Sequence, residues 1–228
     1  MSYQLSGVVP WGRTFEEYRQ MFLLSEKDLN KQIVSFGDGP ASFNAQLTKQ
    51  GKKVISLDPI YQFTRDELEK RIEETSTEIV EQMCLNASNF NWKSIKNIEE
   101  LKQLRLGAMS IFLQDFEQGK TEKRYINHGL PTVTAFENQF FDLGLSSHFL
   151  LLYDHLGLDF HISAIVEMLR ISKEVRIFPI LNLNAQKTPL LQDLFLFFEE
   201  KFDMEIRKTD YEFQKNGNEM LIIKAKTV

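Results

Sequence analysis

The sequence predicts an α/β fold with a doubly wound, mainly parallel sheet of about seven strands, formed as a single domain over residues 1–228. Short β-branched runs alternate with helical patterns along most of the chain, as they do in parallel α/β sheets. The chain is 43% hydrophobic and 26% charged, values typical of a globular domain. Near the carboxyl end, two apolar runs flank Lys215-Asn216-Gly217, which predicts an antiparallel hairpin.

Each element is predicted from its hydrophobic period and from the glycine, proline and capping residues that bound it. The predicted strands are 32–36, 53–57, 83–85, 140–145, 174–181, 204–213 and 218–226. The predicted helices are 14–24, 41–50, 64–81, 98–117, 160–171 and 189–202.

The composition indicates which kinds of binding partner and which cellular compartment to expect. The 27 basic and 32 acidic residues leave a net charge of −5, so a nucleic acid is not the expected partner. The single cysteine, Cys84, excludes an internal disulfide and fits a reducing cytoplasm. The amino-terminal residues do not resemble a signal peptide, and apolar runs such as 148–153 are too short to span a bilayer. We therefore expect a cytoplasmic protein without a membrane partner; the oligomeric state stays open.

Informative residues follow three of the predicted strands. Gly37 and Gly39, in FGDGPASF at 36–43, allow a sharp turn and a close backbone approach to a ligand. Asp58 lies 21 positions after Gly37, the spacing at which a carboxylate binds ribose hydroxyls in nucleotide-binding folds. Asn86-Ala87 follows the predicted third strand. Because ligands bind at the carboxyl ends of such strands, this order predicts a nucleoside-cofactor site.

The glycine loop also bears on which cofactor binds. A dinucleotide fingerprint, G-x-G-x-x-G, would need a glycine where Ser42 stands, and this departure disfavours NAD. S-adenosylmethionine has no pyrophosphate, so it does not need that loop geometry. An NAD-dependent oxidoreductase is therefore the less favoured alternative.

Several segments resemble the motifs of class I S-adenosylmethionine-dependent methyltransferases. FGDGPASF at 36–43, VISLDPIY at 54–61 and FENQFFDLGLSSHFLLLY at 136–153 resemble the first, second and fourth motifs of that family. VVPWGRTFEEYRQMF at 8–22, LGLDFHISAIVEMLRISKEVRIFPIL at 156–181 and YEFQKNGNEMLIIK at 211–224 resemble an uncharacterised bacterial branch of it. The resemblance covers nearly the whole chain and implies a Rossmann-like fold.

The resemblance also implies roles for individual residues. Gly37, Asp38, Gly39 and the adjoining Pro40 would line the methionine part of the cofactor, and Asp58 would hold its ribose.

The remaining implied contacts concern the adenine. Pro59 and Ile60 would lie beside it, and Asn86, Ala87 and Ser88 would border it. The family usually has aspartate where Asn86 stands, a departure that an amide can tolerate because it can also hydrogen-bond adenine.

The resemblance places Ser146, Ser147 and His148 next to the transferable methyl group. The Asn-Pro-Pro-aromatic signature of amino-group methylation is absent at this place. His148 is the candidate general base, since a histidine titrates near neutral pH, with a helix-capping or backbone-bonding role as the alternative. His155 and His161 lack further ligands nearby in the sequence, so no metal site is predicted.

Two segments outside the motifs are candidates for covering the site. Residues 1–30 are predicted to form a helical lid, or a helix packed on the sheet, with Arg13 pairing the methionine carboxylate or an acidic substrate. The polar, glycine- and proline-containing stretch 117–136 is predicted to be a long loop over the acceptor, and His128 within it to contact substrate.

Together these observations predict transfer of a methyl group from S-adenosylmethionine to a small-molecule acceptor. The main alternative is a protein that binds S-adenosylmethionine or S-adenosylhomocysteine without catalysis. Turnover separates the two, because a non-catalytic binder never accumulates S-adenosylhomocysteine.

Overall fold

The structure is a computed structural model that describes residues 11–226, except for the side chains of residues 77 and 78. The strands are β1 (Gln32–Phe36), β2 (Lys53–Leu57), β3 (Tyr125–Ile126), β4 (Phe141–Ser147), β5 (Ser172–Phe178), β6 (Phe202–Lys208) and β7 (Glu219–Ala225). The α-helices are α1 (Phe15–Met21), α2 (Glu26–Leu29), α3 (Phe43–Lys49), α4 (Arg65–Leu85), α5 (Ile98–Thr121), α6 (Leu158–Ile171) and α7 (Leu191–Phe198).

The seven strands form one sheet in the order β3-β2-β1-β4-β5-β7-β6. The first five strands pair in parallel, whereas β7 runs antiparallel to both β5 and β6. The chain winds outward from β1 in one direction through β2 and β3, and from β4 in the other. This topology confirms the predicted doubly wound, Rossmann-like α/β fold with its antiparallel carboxyl-terminal hairpin.

Apolar residues cover both faces of the sheet. Successive β1 residues point to opposite faces, so Ile33 packs in one core and Val34 in the other. The first core includes Tyr18 of α1 and Phe43 of α3. The second includes residues of α6, among them Ile165, which is fully buried. Burial on both faces explains why the central strands read as continuous apolar runs.

The predicted third strand at 83–85 is wrong, because these residues are the last turn of α4. Met83 is buried, whereas Cys84 and Leu85 are exposed, which is the burial pattern of one face of a helix. A capping box between Thr64 and Glu67 starts this helix.

The third strand of the chain lies instead inside the segment 117–136, which the sequence predicts to be a loop. Residues 117–121 end α5, and Tyr125–Ile126 form β3 beside β2. Gly119 makes room for the ring of Tyr125, since an added Cβ would lie 2.3 Å from that ring. The loop prediction is therefore wrong for residues 117–121 and 125–126. Residues 127–136 lie in the connection to β4.

Two further predictions concern the chain ends and membranes. Residues 1–10 of the predicted 1–30 lid lie outside the described residues, and within 11–30 the helices α1 and α2 form. Across the described part of the chain, every helix is too short or too polar to cross a bilayer.

Candidate functional site

A cavity of about 300 Å³ opens at the carboxyl ends of β1, β2, β3 and β4. This main cavity collects eleven of the residues singled out in the sequence: Arg13, Gly37, Asp38, Gly39, Pro40, Asp58, Pro59, Ile60, His128, Ser147 and His148. A second cavity of about 180 Å³ adjoins it and shares Trp11, Arg13, His148, Leu152 and Leu183 with it.

The loop at 36–43, here called the glycine loop, needs each of its two glycines for a different structural reason. Both adopt the left-handed conformation, with φ of 63° at Gly37 and 56° at Gly39. A Cβ on Gly37 would lie 2.7 Å from the ring of Phe149, which packs directly on the loop. An added Cβ on Gly39 would meet no described atom within 4 Å. The backbone at Gly39 is therefore open to a ligand.

Asp38 anchors this loop rather than facing the cavity with free oxygens. Its buried carboxylate accepts hydrogen bonds from the hydroxyls of Tyr18, Ser35 (2.6 Å) and Ser56 (2.5 Å). Burial raises the pKa of Asp38 above its usual value, although the hydroxyl bonds oppose the shift. These bonds join the loop to β1, β2 and α1.

Asp58 follows β2 and binds two backbone amides. Its Oδ2 accepts from the Gly39 N–H at 2.8 Å and its Oδ1 accepts from the Ile60 N–H at 2.9 Å. Burial raises the pKa of Asp58 to about 6, and the nearby Asp38 carboxylate contributes to the rise. Each carboxylate oxygen can accept a further hydrogen bond from a ligand.

Arg13 lines both cavities, and its guanidinium has only some of its hydrogen-bond donors paired. Its Nη1 donates to the Trp11 carbonyl at 3.0 Å, while its buried Nε has no hydrogen-bond partner. Among the side chains that the structure describes, no carboxylate forms an ion pair with it. Burial lowers the pKa of Arg13, and the neighbouring Arg105 cation adds to this. The guanidinium is thus placed to receive an anionic group.

A buried ion pair holds the segment that carries Arg13. Glu17 of α1 accepts two hydrogen bonds from the fully buried Arg105 of α5, one of them at 2.6 Å. The Tyr211 hydroxyl donates to the same carboxylate at 2.8 Å. Burial would raise the pKa of Glu17, but the Arg105 charge outweighs it and lowers the pKa to about 2.

His148 lies at the junction of the two cavities, directly after β4. Its backbone N–H donates to the Phe178 carbonyl at 2.7 Å, and its Nδ1 is 2.9 Å from the Ser147 hydroxyl. Its Nε2 has no hydrogen-bond partner among the described residues. Burial lowers the pKa of His148 well below its usual range, and the cations Arg13 and Arg105 add to the effect. This shift favours the neutral imidazole, whose Nε2 can take part in a hydrogen bond with a ligand.

The residues predicted to border the adenine follow 83–85, and the structure places them outside the main cavity. Because 83–85 is helical, Asn86 caps α4, with its Nδ2 donating to the Gln82 carbonyl at 2.8 Å, and it lines the second cavity. Ala87 and Ser88 line neither cavity. Ser146 also lines neither, since its buried side chain points to the other face of β4 from Ser147.

The residues that follow the actual third strand line the main cavity in their place. His128 and Gly129 come after β3, and the His128 Nε2 lies 2.8 Å from the Thr132 carbonyl. The sequence did not predict that the residues after Tyr125–Ile126 form this wall of the cavity, because a two-residue strand leaves no periodic signal. Trp11 was also missed, although it stands two positions before Arg13 in a segment already singled out.

The side chains that the structure describes contain no cluster of three His, Cys, Asp or Glu residues that could hold a metal ion. His161 instead places Nδ1 2.6 Å from the Gly157 carbonyl and Nε2 2.9 Å from the Leu150 carbonyl. Its role is to join the start of α6 to the segment after β4.

One relative covers almost the whole chain. The uncharacterised protein MJ0045 of Methanocaldococcus jannaschii is 38% identical over 222 residues, which are 96% of this chain and 97% of that protein. The chain belongs to the family of this archaeal protein. No protein-family model matches the sequence. The family therefore has an archaeal member, while its link to a bacterial branch stays a prediction.

Comparison with solved structures gives matches at low sequence identity. A TehB-like S-adenosylmethionine-dependent methyltransferase from Corynebacterium glutamicum is 14% identical, with 93% of this chain and 88% of that one covered at a TM-score of 0.49. Magnesium protoporphyrin IX methyltransferase from Synechocystis, solved with bound S-adenosylmethionine, is 9% identical, with 93% and 91% covered at a TM-score of 0.47. For the MJ0045 family, the fold assignment rests on the strand order of the chain itself.

Proposed function

We propose that this protein transfers a methyl group from S-adenosylmethionine to a small-molecule acceptor, with the cofactor in the main cavity. The proposal rests on three features that lie together in that cavity. These are the open backbone at Gly39, the Asp58 carboxylate and the incompletely paired Arg13 guanidinium.

The three features match three parts of the proposed cofactor. The spare lone pairs of Asp58 suit two ribose hydroxyls, and the Arg13 guanidinium suits the methionine carboxylate. The backbone at Gly39 lets the methionine part approach without meeting a side chain. On the adenine side, we propose Pro59 and Ile60 together with His128 and Gly129, which all line the cavity.

S-adenosylmethionine supplies the methyl group: the S–CH₃ bond breaks with its electron pair staying on sulfur, while a lone pair of the acceptor atom forms the new bond to carbon. The chain's own contribution is to align the reactants and to manage the acceptor proton. Neutral His148 accepts that proton at Nε2 and later releases it to solvent. Ser147 holds the ring through Nδ1.

The proposal extends to the surrounding chain. Residues 1–228 act as one domain in the cytoplasm, the segment 11–30 covers the methionine end of the cavity, and the loop 127–136 borders the adenine end. The contact between this amino-terminal segment and the glycine loop supports the first cover, since a Cβ on Gly12 would lie 2.1 Å from the Pro40 carbonyl oxygen.

Calorimetric titration with S-adenosylmethionine, S-adenosylhomocysteine and NAD tests the cofactor. We expect saturable binding of the two sulfur compounds only, and Arg13→Gln should weaken both at least about tenfold, because it removes a charged hydrogen-bond partner. Arg19→Gln is the matched control, since Arg19 lies on the same segment but outside the main cavity.

Three outcomes would contradict parts of the proposal. Binding of NAD alone would show that the protein uses a different cofactor and reaction. Unchanged affinity in Arg13→Gln would show that Arg13 does not bind the methionine carboxylate. If the sulfur compounds bind but S-adenosylhomocysteine never accumulates with any acceptor tried, the protein is a non-catalytic binder.

A further inference from the structure

The second cavity has walls that are held in place by backbone hydrogen bonds. On one side, the segment after α4 pairs with the segment before β7: Asn91 N–H donates to the Phe213 carbonyl at 2.6 Å, and Lys215 N–H donates to the Asn89 carbonyl at 2.9 Å. On the other side, the Asn182 side chain accepts from the N–H groups of Asn184 and Gln186 at 3.0 and 3.2 Å. The cavity is therefore preformed.

Aromatic rings make up much of its lining. Phe90 and Phe213 stack with ring centroids 5.0 Å apart and an interplanar angle of 20°. Trp11 lines the cavity as well, on the side shared with the main cavity. At about 180 Å³, the space is similar to an engineered cavity of about 150 Å³ that holds benzene in another protein. The size and the rings suit a single aromatic ring.

Carboxamides supply the polar groups at the rim. The side chains of Asn89, Asn184 and Gln214 line the cavity, and none of the three makes a side-chain hydrogen bond within the described residues. Each offers one acceptor and two donor hydrogens. They can bind the polar substituents of a ring without selecting a charge.

The electrostatics of the lining select against cations. Among the described side chains, no acidic residue lines the second cavity, and Arg13 is its one fully charged lining group. A cationic acceptor would face the Arg13 guanidinium with no carboxylate to compensate. A neutral or anionic acceptor meets no such penalty.

We propose that the second cavity is the acceptor site, and that the acceptor is a neutral or anionic single-ring aromatic compound whose hydroxyl or N–H reaches His148 at the junction. This inference rests on the proposed function, because it takes the main cavity as the cofactor site. The acceptor atom gains the methyl group and loses its proton to the His148 Nε2. The carboxamides hold the far side of the ring.

Three para-substituted phenols of similar size, with an anionic, a neutral and a cationic substituent, test the class of acceptor: 4-hydroxybenzoate, 4-hydroxybenzamide and 4-hydroxybenzylamine. Each is titrated calorimetrically into the full chain saturated with S-adenosylhomocysteine. We expect the benzoate and the benzamide to bind, and the benzylamine to bind at least about tenfold more weakly.

Asn184→Trp locates the binding. Asn184 is exposed at the rim, so an indole there fills the mouth of the cavity without disturbing a buried contact. We expect the variant to lose probe affinity at least about tenfold while S-adenosylhomocysteine still binds. Gln186→Trp is the matched control, since Gln186 is exposed on the same loop but does not line the cavity.

The results separate the two proposals. If S-adenosylhomocysteine binds but no probe does, or if the benzylamine binds as well as the benzoate, the acceptor assignment is overturned and the cofactor site stands. If S-adenosylhomocysteine itself does not bind, the proposed function fails, and the acceptor assignment fails with it.

Discussion

Asp58 shows how one buried side chain sets the pH range of a site. Burial raises its pKa to about 6 from an ordinary value of 3.8, so the carboxylate gains a proton as the pH falls through 6. Only the ionised form offers both oxygens as acceptors to ribose hydroxyls. Ligand affinity is therefore expected to fall when Asp58 gains a proton near pH 6, where most carboxylates are still ionised.

We predict that the dissociation constant for S-adenosylhomocysteine rises roughly tenfold between pH 8 and pH 5, because about a tenth of Asp58 is ionised at pH 5. Calorimetric titration across this range measures how the dissociation constant changes with pH. Asp58→Asn should bind weakly at every pH and lose the slope. An equal slope in the variant would trace the pH dependence to another group.

Gly39 is the second residue with a testable role. Gly39→Ala places a methyl group in open space at a φ of 56°, so the folded chain is strained by roughly 1–2 kcal/mol without a clash. Gly51→Ala is the matched control: φ is 73° there, an added Cβ also meets nothing within 4 Å, and Gly51 lies outside the main cavity.

We predict that both glycine variants lose a similar amount of stability in urea denaturation, because both force alanine into the left-handed region. Only Gly39→Ala should also lose affinity for S-adenosylhomocysteine, at least about tenfold, since its methyl group projects into the binding space. Equal affinities in the two variants would show that the ligand does not approach Gly39.

At the scale of elements, the short helix α1 depends on one buried ion pair. Thr14 and Glu17 form a capping box, and the same Glu17 carboxylate binds Arg105 and the Tyr211 hydroxyl. Three parts of the chain that are distant in sequence therefore meet at one carboxylate. This arrangement sets the position of Arg13, which lies just before the helix.

We predict that Glu17→Gln loses about 3 kcal/mol of unfolding free energy at pH 7, because it leaves Arg105 buried without a counter-charge. The lowered pKa of about 2 means that the ion pair stabilises the fold above pH 4.5 and that this stability is lost as the pH falls to 2. Urea denaturation should show the gap between wild type and variant closing over that range.

The double variant Glu17→Leu/Arg105→Leu is the control for this prediction. Replacing both charges with apolar side chains removes the unpaired cation, so the double variant should be more stable than Glu17→Gln. If it is less stable, hydrogen bonds other than the ion pair hold α1.

At the scale of the whole molecule, the sheet brings separate motifs to one place. The carboxyl ends of β1, β2 and β4 lie side by side, so loops more than 100 residues apart in sequence form one cavity. The second cavity depends instead on the pairing between the segment after α4 and the segment before β7. Two different tertiary contacts thus form the two adjoining sites.

The sequence predicts the first part of this arrangement well. Gly37, Gly39 and Asp58 follow strands with a clear β-branched pattern, and adjacent parallel strands must end at the same edge of the sheet. The residues at 86–88 were assigned from an apolar triplet predicted to be a strand, and that strand prediction was wrong because the triplet is helical. Three residues are too few to distinguish period 2 from period 3.6.

The sequence by itself determined the fold class, the antiparallel hairpin and the glycine and aspartate positions, because each depends on local periodicity or on turn chemistry. Only the tertiary structure decided that β3 is Tyr125–Ile126, that the buried Nε of Arg13 has no hydrogen-bond partner among the described residues, and that a second cavity adjoins His148. These features depend on contacts between residues distant in sequence, such as Tyr125 over Gly119 and Phe90 on Phe213. No local pattern encodes such contacts, since they arise only when the chain has packed.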